Sequence, residues 1–468
     1  MKSVVIIGSG VGGSALAALL AQEGYAVTVL ERNAFLGGRA ASYQRDGFTC
    51  DMGVHYVGRG AAGPHGEVAR RTGADLTFLK VSPFMRVSDG VRKVDLPLDF
   101  TRLVPMFKLA RVFGVPPRKW IGTLAAILKL KSLKSEDQAA AYDELPLKDF
   151  LLPYCDDPAF FFIMDMVAAL LFVTAVSETS TGEFMHSFST WARLASSSYP
   201  KGGFKRIAES FLEAAQRKGA QVLTHTSVTA IRVENGRATG VETDRGFFPA
   251  DIVVSNAGIE NTVNLAGREP FGAAYAARVA GFKYSAGAVT LKYGLDYAPM
   301  DIPILLQHHP GTQAENYMAR IARGEVPEVP PMFMVSPTVV DPSLAPPGKH
   351  LLLAATVLPP DLSANNVADR LLDGMEKEIP RIFPGIEKHI LWKHKTGLSF
   401  IDAMSHRGRA DCIGLAQTHY QCGKNKPDPK TPIQNLWLVG CDAGGRGIGT
   451  EQASDSALKV FERIKEEG

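Results

Sequence analysis

Residues 4–42, VVIIGSGVGGSALAALLAQEGYAVTVLERNAFLGGRAAS, decide the fold. Val4 to Ile7 is a short, β-branched, wholly apolar run, the pattern of a strand covered on both faces of a parallel sheet. Gly8-Ser9-Gly10-Val11-Gly12-Gly13 then fits GxGxxG through Gly8, Gly10 and Gly13, and an alanine- and leucine-rich helix runs on to Glu23. Gly24 stops that helix, and Ala26 to Leu30 is a second strand, so the segment opens as βαβ. A strand before the glycines and a helix after them give the motif its specificity. The first glycine permits the tight turn, the second lets backbone approach a pyrophosphate, and the third lets helix and strand pack closely. Gly12 stands beside them, and the helix N-terminus adds positive potential. Glu31, followed by Arg32, ends the second strand where a carboxylate accepts hydrogen bonds from ribose hydroxyls. Gly37-Gly38-Arg39 adds a second close-approach loop and a guanidinium suited to phosphate. A dehydrogenase that uses only a nicotinamide cofactor has no need of that second loop.

The same run poses an ambiguity, because residues Ser3 to Gln22 carry no charge and mimic a signal peptide or a membrane span. The glycines resolve it: each costs roughly 1 kcal/mol inside a helix, so strand, turn and helix is the expected reading. A chain of 468 residues implies two packed domains. The net charge of +3 is too small for a nucleic-acid-binding protein. Five cysteines, none in a CxxC pair, point away from a disulfide framework or zinc and toward a reducing, cytoplasmic setting. His308-His309 and His394 lack partners at ligand spacing, so no metal is expected.

Working outward, Gly203 to Lys218 is a helix with Ile207, Phe211, Ala214 and Ala215 on one face. Gln221 to Leu223 is strand-like. Val228 to Val233 turns at Asn235-Gly236, a strong hairpin signal. Asp251 to Ser255 is another buried strand. Asn435 to Val439 is a strand, Gly440 to Gly449 a glycine-rich loop, and Glu451 to Lys465 a terminal helix. The expected class is α/β: a Rossmann-type nucleotide domain assembled from residues 1–80, 200–260 and 395–468. A second, inserted α+β substrate domain occupies residues 81–199 and 261–394.

The opening run resembles the start of the amine oxidase/phytoene desaturase superfamily of FAD enzymes. YPKGG at 199–203, ENGRATGVET at 234–243 and ADIVVSNAG at 250–258 are similar to the middle of phytoene-desaturase-like proteins. KPDPKTPIQNLWLVGCDAGGRGIGTEQASDSAL at 426–458 resembles their C-terminal flavin motif. The resemblance implies non-covalent FAD. It assigns Val228 to the adenine, Gly440 and Asp442 to the pyrophosphate and ribityl region, and Gly449-Thr450-Glu451-Gln452 to the turn that brings the terminal helix to the flavin N1/C2 carbonyl. The helix dipole would there stabilise anionic reduced flavin. One departure stands out: carotenoid desaturases carry a His-Pro-Gly-Gly-Gly type sequence after this aspartate region, whereas this chain has Gly444-Gly445-Arg446-Gly447.

FTCDMGVHYVGR at 48–59 is similar to a segment of the retinol saturase branch. On that footing His55 and Tyr56 are the candidate catalytic residues, expected near the isoalloxazine. Residues 100–135 hold eight basic residues and no acid before Glu136, interleaved with apolar and aromatic side chains. This is the composition of a segment that docks on anionic membrane, expected at the inner face. Pro158 to Val176 is almost wholly apolar, broken by Asp165, and reads as a buried helix or the wall of a lipid-sized pocket. Together these readings favour flavin-dependent desaturation, saturation or isomerisation of a polyene or isoprenoid, an apolar small molecule. A flavin amine oxidase is the first alternative. It would need an aromatic cage, for which Tyr420 and Trp437 are the C-terminal candidates. The second is a flavin-bearing binding protein without turnover.

Overall fold

The structure is a computed structural model and describes residues 1–53, 56–97, 102–194, 196–308 and 314–467. Its nucleotide-type sheet has five parallel strands in the order Leu436–Leu438, Ile252–Ser255, Ser3–Ile7, Ala26–Leu30 and Gln221–Leu223. Alternation sorts the central strand between two cores. Val4 and Ile6 join Leu16, Phe211 and Phe461, whereas Val5 and Ile7 join Val228, Ile231 and Val241. The first core is closed by helix Val11–Gln22, which packs against both Lys205–Arg217 and Gly449–Glu467. The second lies under an antiparallel three-stranded sheet, Val228–Glu234, Arg237–Thr243 and Gly246–Pro249. Asn235 and Gly236 make its first turn with φ of 51° and 75°, the left-handed pair that a two-residue type I′ hairpin requires.

A mixed sheet of seven strands forms the other half. Its order is Ile390–Thr396, Gly287–Leu295, His350–Leu358, Met332–Val335, Ile304–Gln307, Met85–Ser88 and Lys93–Leu96. The pairing of Ile304–Gln307 with Met85–Ser88 is parallel and the other five are antiparallel. Strands from residues 85–96 and 287–396 thus share one sheet. Helix Asn365–Ile382 covers one face through Leu371, Leu372 and Met375.

Several element ends differ from the sequence reading. The helix expected from Gly203 starts at Lys205, because Gly202 and Gly203 adopt φ of 88° and 95° in the preceding turn. The terminal helix begins at Gly449, not Glu451. The apolar stretch forms helix Pro158–Phe172 and stops there, at left-handed Val173 with φ of 55°. Asp165 accepts a hydrogen bond of 2.9 Å from the Val176 N–H, which fastens the following chain back onto the helix. At 15 residues that helix is shorter than the roughly 20 that a bilayer needs. No helix among the described residues is long and apolar enough to cross a membrane.

Candidate functional site: a cavity running from the glycine loop to an apolar end

A cavity of about 760 Å³ is lined by residues of both sheets and of the helices beside them. This lies within the range of small-molecule sites, about 300–1,000 Å³. Its lining includes the glycine-loop group Gly8, Gly10, Gly12, Glu31, Arg32, Gly38, Arg39 and Val228, and a second group, Tyr56, Arg59, Gly440, Cys441, Gly449, Thr450 and Glu451. A third, apolar group is Met166, Leu170, Leu171, Trp191, Leu306 and Phe333. Gly13 and Asp442 are not lining residues.

The glycine loop packs against Asn256, which follows strand Ile252–Ser255 and also lines the cavity. Asn256 Nδ2 donates to Val439 O at 2.9 Å. A Cβ on Gly10 would sit 2.5 Å from Asn256 Oδ1, one on Gly12 2.8 Å from Gly440 Cα, and one on Gly13 2.3 Å from Gly8 O. Side chains at all three positions are therefore excluded by the protein itself, and the loop's backbone stays open toward the cavity. Gly13 acts purely in packing. Glu31 is buried, accepting at Oε2 from the N–H and hydroxyl of Ser9 at 2.9 and 2.6 Å and at Oε1 from Asn33 N–H at 2.8 Å. Its carboxylate is thereby aimed along the cavity edge.

Two expected residues face charges of the protein. Arg39 lines the cavity, yet its guanidinium makes an ion pair with Asp411, whose carboxylate is fully buried, and donates to Asp411 O at 3.0 Å. Asp442 turns away from the cavity. It pairs with Arg407 at 3.1 Å and accepts from the N–H groups of Ile259 and Leu415 at 3.1 and 3.2 Å. Burial alone would raise the Asp442 carboxyl, but Arg407, Arg39 and the Ile259 N–H outweigh it and hold it below the usual carboxylate range. Arg407 itself lines the cavity. Asp442 thus reaches the cavity through Arg407, whose place sequence spacing does not reveal.

At the terminal helix, Thr450 lines the cavity and its hydroxyl lies 3.2 Å from His65 Nε2, while His65 Nδ1 lies 2.8 Å from Ser454 Oγ. Burial, aided by the charge of Arg59, lowers the His65 pKa to about 3, so its imidazole is neutral. Tyr56 contributes to an aromatic wall, with ring centroids 5.7 Å from Phe84, 6.4 Å from Trp191 and 6.5 Å from Phe333. Burial first, then the charge of Glu451, raises its phenol, so it stays protonated. His55 lies outside the described residues. Tyr420 is half exposed and Trp437 sits in the five-stranded sheet, so neither borders the cavity. Asn256, Arg407 and Asp411 were not singled out by the sequence, and Arg59 and Glu451 stood there only as members of the segment 48–59 and of the turn at the terminal helix. For Asn256 the ADIVVSNAG run was the available signal.

A glycine cradle at a helix N-terminus, a buried carboxylate ending the next strand, and a second helix N-terminus further along one cavity define a dinucleotide-dependent oxidoreductase. Comparison with known proteins specifies it. Residues 12–464 match the flavin-containing amine oxidoreductase family, and the chain belongs to that family. It is 26% identical to the zeta-carotene-forming phytoene desaturase of Myxococcus xanthus, over 99% of this chain and 94% of that protein. It is also 26% identical to a lycopene-forming phytoene desaturase of a Paracoccus species, over 96% and 94%. Among solved structures, an oxidoreductase from Methanosarcina mazei shares the fold with a TM-score of 0.77 at 21% identity, covering 98% of this chain and all of that one. The cofactor is FAD, and the chain is an FAD-dependent oxidoreductase. The open glycine backbone, Glu31 and a cavity of about 760 Å³ lined by both helix N-termini fit so long a group.

Proposed function

We propose that the protein acts on carbon–carbon bonds of an apolar isoprenoid or polyene, by desaturation, saturation or isomerisation. One observation carries the reading: a single cavity is lined both by the dinucleotide cradle and by a group of apolar and aromatic side chains, Met166, Leu170, Leu171, Trp191, Leu306 and Phe333. FAD, when bound, supplies or accepts the hydride. The chain's own residues do the rest. Gly8, Gly10, Gly12 and Gly38 present backbone to the pyrophosphate. Glu31, with Arg32 beside it, takes the ribose, and Val228 borders the adenine. Gly440, Gly449 and Thr450 line the stretch toward the ring. Tyr56, Trp191 and Phe333 offer flat faces to a conjugated chain and keep water out, and Tyr56 together with His55 is assigned to the substrate side of the ring. The relatives named above are phytoene desaturases, which supports a substrate of this class. In this reading the first unit of the domain division drawn from the sequence holds FAD and the inserted one the lipid.

Substrate supply from a membrane surface follows from the basic stretch. Its helices, Leu103–Val112 and Trp120–Leu130, expose Leu103, Val104, Ile121 and Leu128 beside exposed Lys108, Arg111, Arg118 and Lys129. Exposed apolar side chains ringed by cations suit the interface of an anionic bilayer. Spectral reduction of the oxidised holoprotein by polyenes or amines, and reoxidation of the reduced holoprotein by polyenes or quinones, tests the reaction class. Reduction of the oxidised enzyme by simple amines, with no response to any polyene, would overturn it. Equal recovery from solution with and without anionic liposomes would overturn the docking.

A further inference from the structure

We propose that Arg59 is a hydrogen-bond and charge partner of the pyrimidine edge of the bound flavin, with Glu451 as its fixed counter-charge, so that the pair sets the flavin's reduction potential. The proposal rests on the FAD assignment and deepens it.

Arg59 and Glu451 are 392 residues apart and meet on the cavity wall. The Arg59 N–H donates to Glu451 Oε1 at 2.9 Å, and Arg59 Nε lies 3.4 Å from Glu451 Oε2. The side chains are 16% and 9% exposed, so the pair is screened from bulk water. Glycines shape its seat. A Cβ on Gly447, at φ 103°, would lie 2.9 Å from Arg59 Nη2, and one on Gly63 2.9 Å from Glu451 Oε1. Both carboxylate oxygens and Nε are thereby committed to the pair. Among the described residues no hydrogen-bond acceptor is recorded for either Nη group.

The guanidinium therefore turns up to four N–H donors and a positive charge toward the cavity. An apolar polyene has no use for them. The ring carbonyls of a flavin do, and its pyrimidine is where negative charge collects on reduction. The location agrees: Arg59 sits against Gly447 and Glu451 at the N-terminus of helix Gly449–Glu467, on the same cavity lining as Tyr56, Thr450 and the glycine loop. Burial outweighs the charge and N–H groups of Arg59 and the Gly58 N–H and holds the Glu451 carboxyl above its usual range, so its counter-charge rests on Arg59 staying beside it. A charge placed in the low-dielectric wall acts far more strongly than the same charge in water.

Opposite charge changes must then move the flavin in opposite directions. The experiment measures the reduction potential of bound FAD, without substrate, in the wild type and in Arg59→Met, Arg59→Lys and Glu451→Gln. Arg59→Met should lower the potential and Glu451→Gln raise it, each by at least tenfold in the oxidised-to-reduced equilibrium, about 30 mV for a two-electron couple. Arg59→Lys, which keeps the charge but loses the planar fork, should fall between Arg59→Met and wild type. Sulfite, which adds to flavin and leaves negative charge on the ring, should bind more weakly to Arg59→Met and more tightly to Glu451→Gln. A potential that is unchanged or raised in Arg59→Met, or unchanged or lowered in Glu451→Gln, overturns the proposal. If Arg59→Met does not retain FAD, the Arg59→Lys and Glu451→Gln shifts decide, with the same signs required. A wild-type protein that binds no flavin would instead overturn the cofactor assignment.

Discussion

Replacing Arg446 by methionine should loosen the flavin loop by several kcal/mol. Arg446 stands in the loop where this chain departs from the carotenoid desaturase pattern, and it is 8% exposed. Its Nη1 and Nη2 donate to the two carboxylate oxygens of Asp143 at 3.0 and 2.7 Å, and Nη1 also reaches Glu183 at 3.3 Å. Both carboxylates are fully buried. Without Arg446, Asp143 keeps the Lys424 N–H at 2.8 Å, and Glu183 keeps the Gly447 N–H at 3.3 Å and Lys426 at 3.9 Å. Stripping one partner from a buried pair costs about 3–5 kcal/mol, because the remaining charge stays desolvated. Relieved by opening the loop that leads to Gly449 and Thr450, that cost would appear as a loss of FAD affinity of about two to three and a half decades. Titration of apoprotein with FAD, alongside the temperature of flavin release, measures it. The double variant Arg446→Met, Asp143→Asn removes the stranded Asp143 charge, leaves Glu183 with Lys426, and should recover most of the loss. An Arg446→Met protein that binds FAD within about threefold of wild type, a change under 1 kcal/mol, would refute the reasoning.

His65, with its pKa lowered to about 3, takes up its proton in the unfolded chain at about 6.5 but not in the folded one. Its share of stability is therefore complete above pH 6.5 and falls by about 1.4 kcal/mol per unit as pH drops toward 3. His65→Gln should flatten the wild-type pH profile across that window, and an unchanged slope would deny the burial argument. Val104 and Ile121 are 79% and 83% exposed, so Val104→Asp with Ile121→Asp should leave unfolding temperature unchanged. The pair should lower binding to anionic liposomes at least tenfold, since each apolar side chain contributes about 1.5–3 kcal/mol on burial. Gly12→Ala places a methyl 2.8 Å from Gly440 Cα. Backbone must shift, at about 1–3 kcal/mol, and weaker FAD binding with lower thermal stability should appear together.

The sequence alone determined the parts whose signal is local. A β-branched run, a GxGxxG turn and an apolar helix lie within residues 4–24, and their order implies the parallel unit that strands Ser3–Ile7 and Ala26–Leu30 form. The Asn235-Gly236 turn was legible for the same reason, since two consecutive left-handed residues restrict the choice of side chains. The buried helix at Pro158 was legible from composition, but its end was not, because Asp165 acts on Val176 only after the chain folds back. Tertiary structure decided which distant groups meet. Nothing in the spacing joins Asn256 to the glycine loop, Arg407 to Asp442, Arg59 to Glu451 or Arg446 to Asp143, the last pair 303 residues apart. The order of the seven-stranded sheet belongs here too, as its strands come from segments nearly two hundred residues apart. The physical reason is that periodicity records how much of a residue must be covered, whereas the partner that covers it is chosen when separate segments close on a shared core. A buried charge tells the reader that a counter-charge exists, and only closure of the fold says which one.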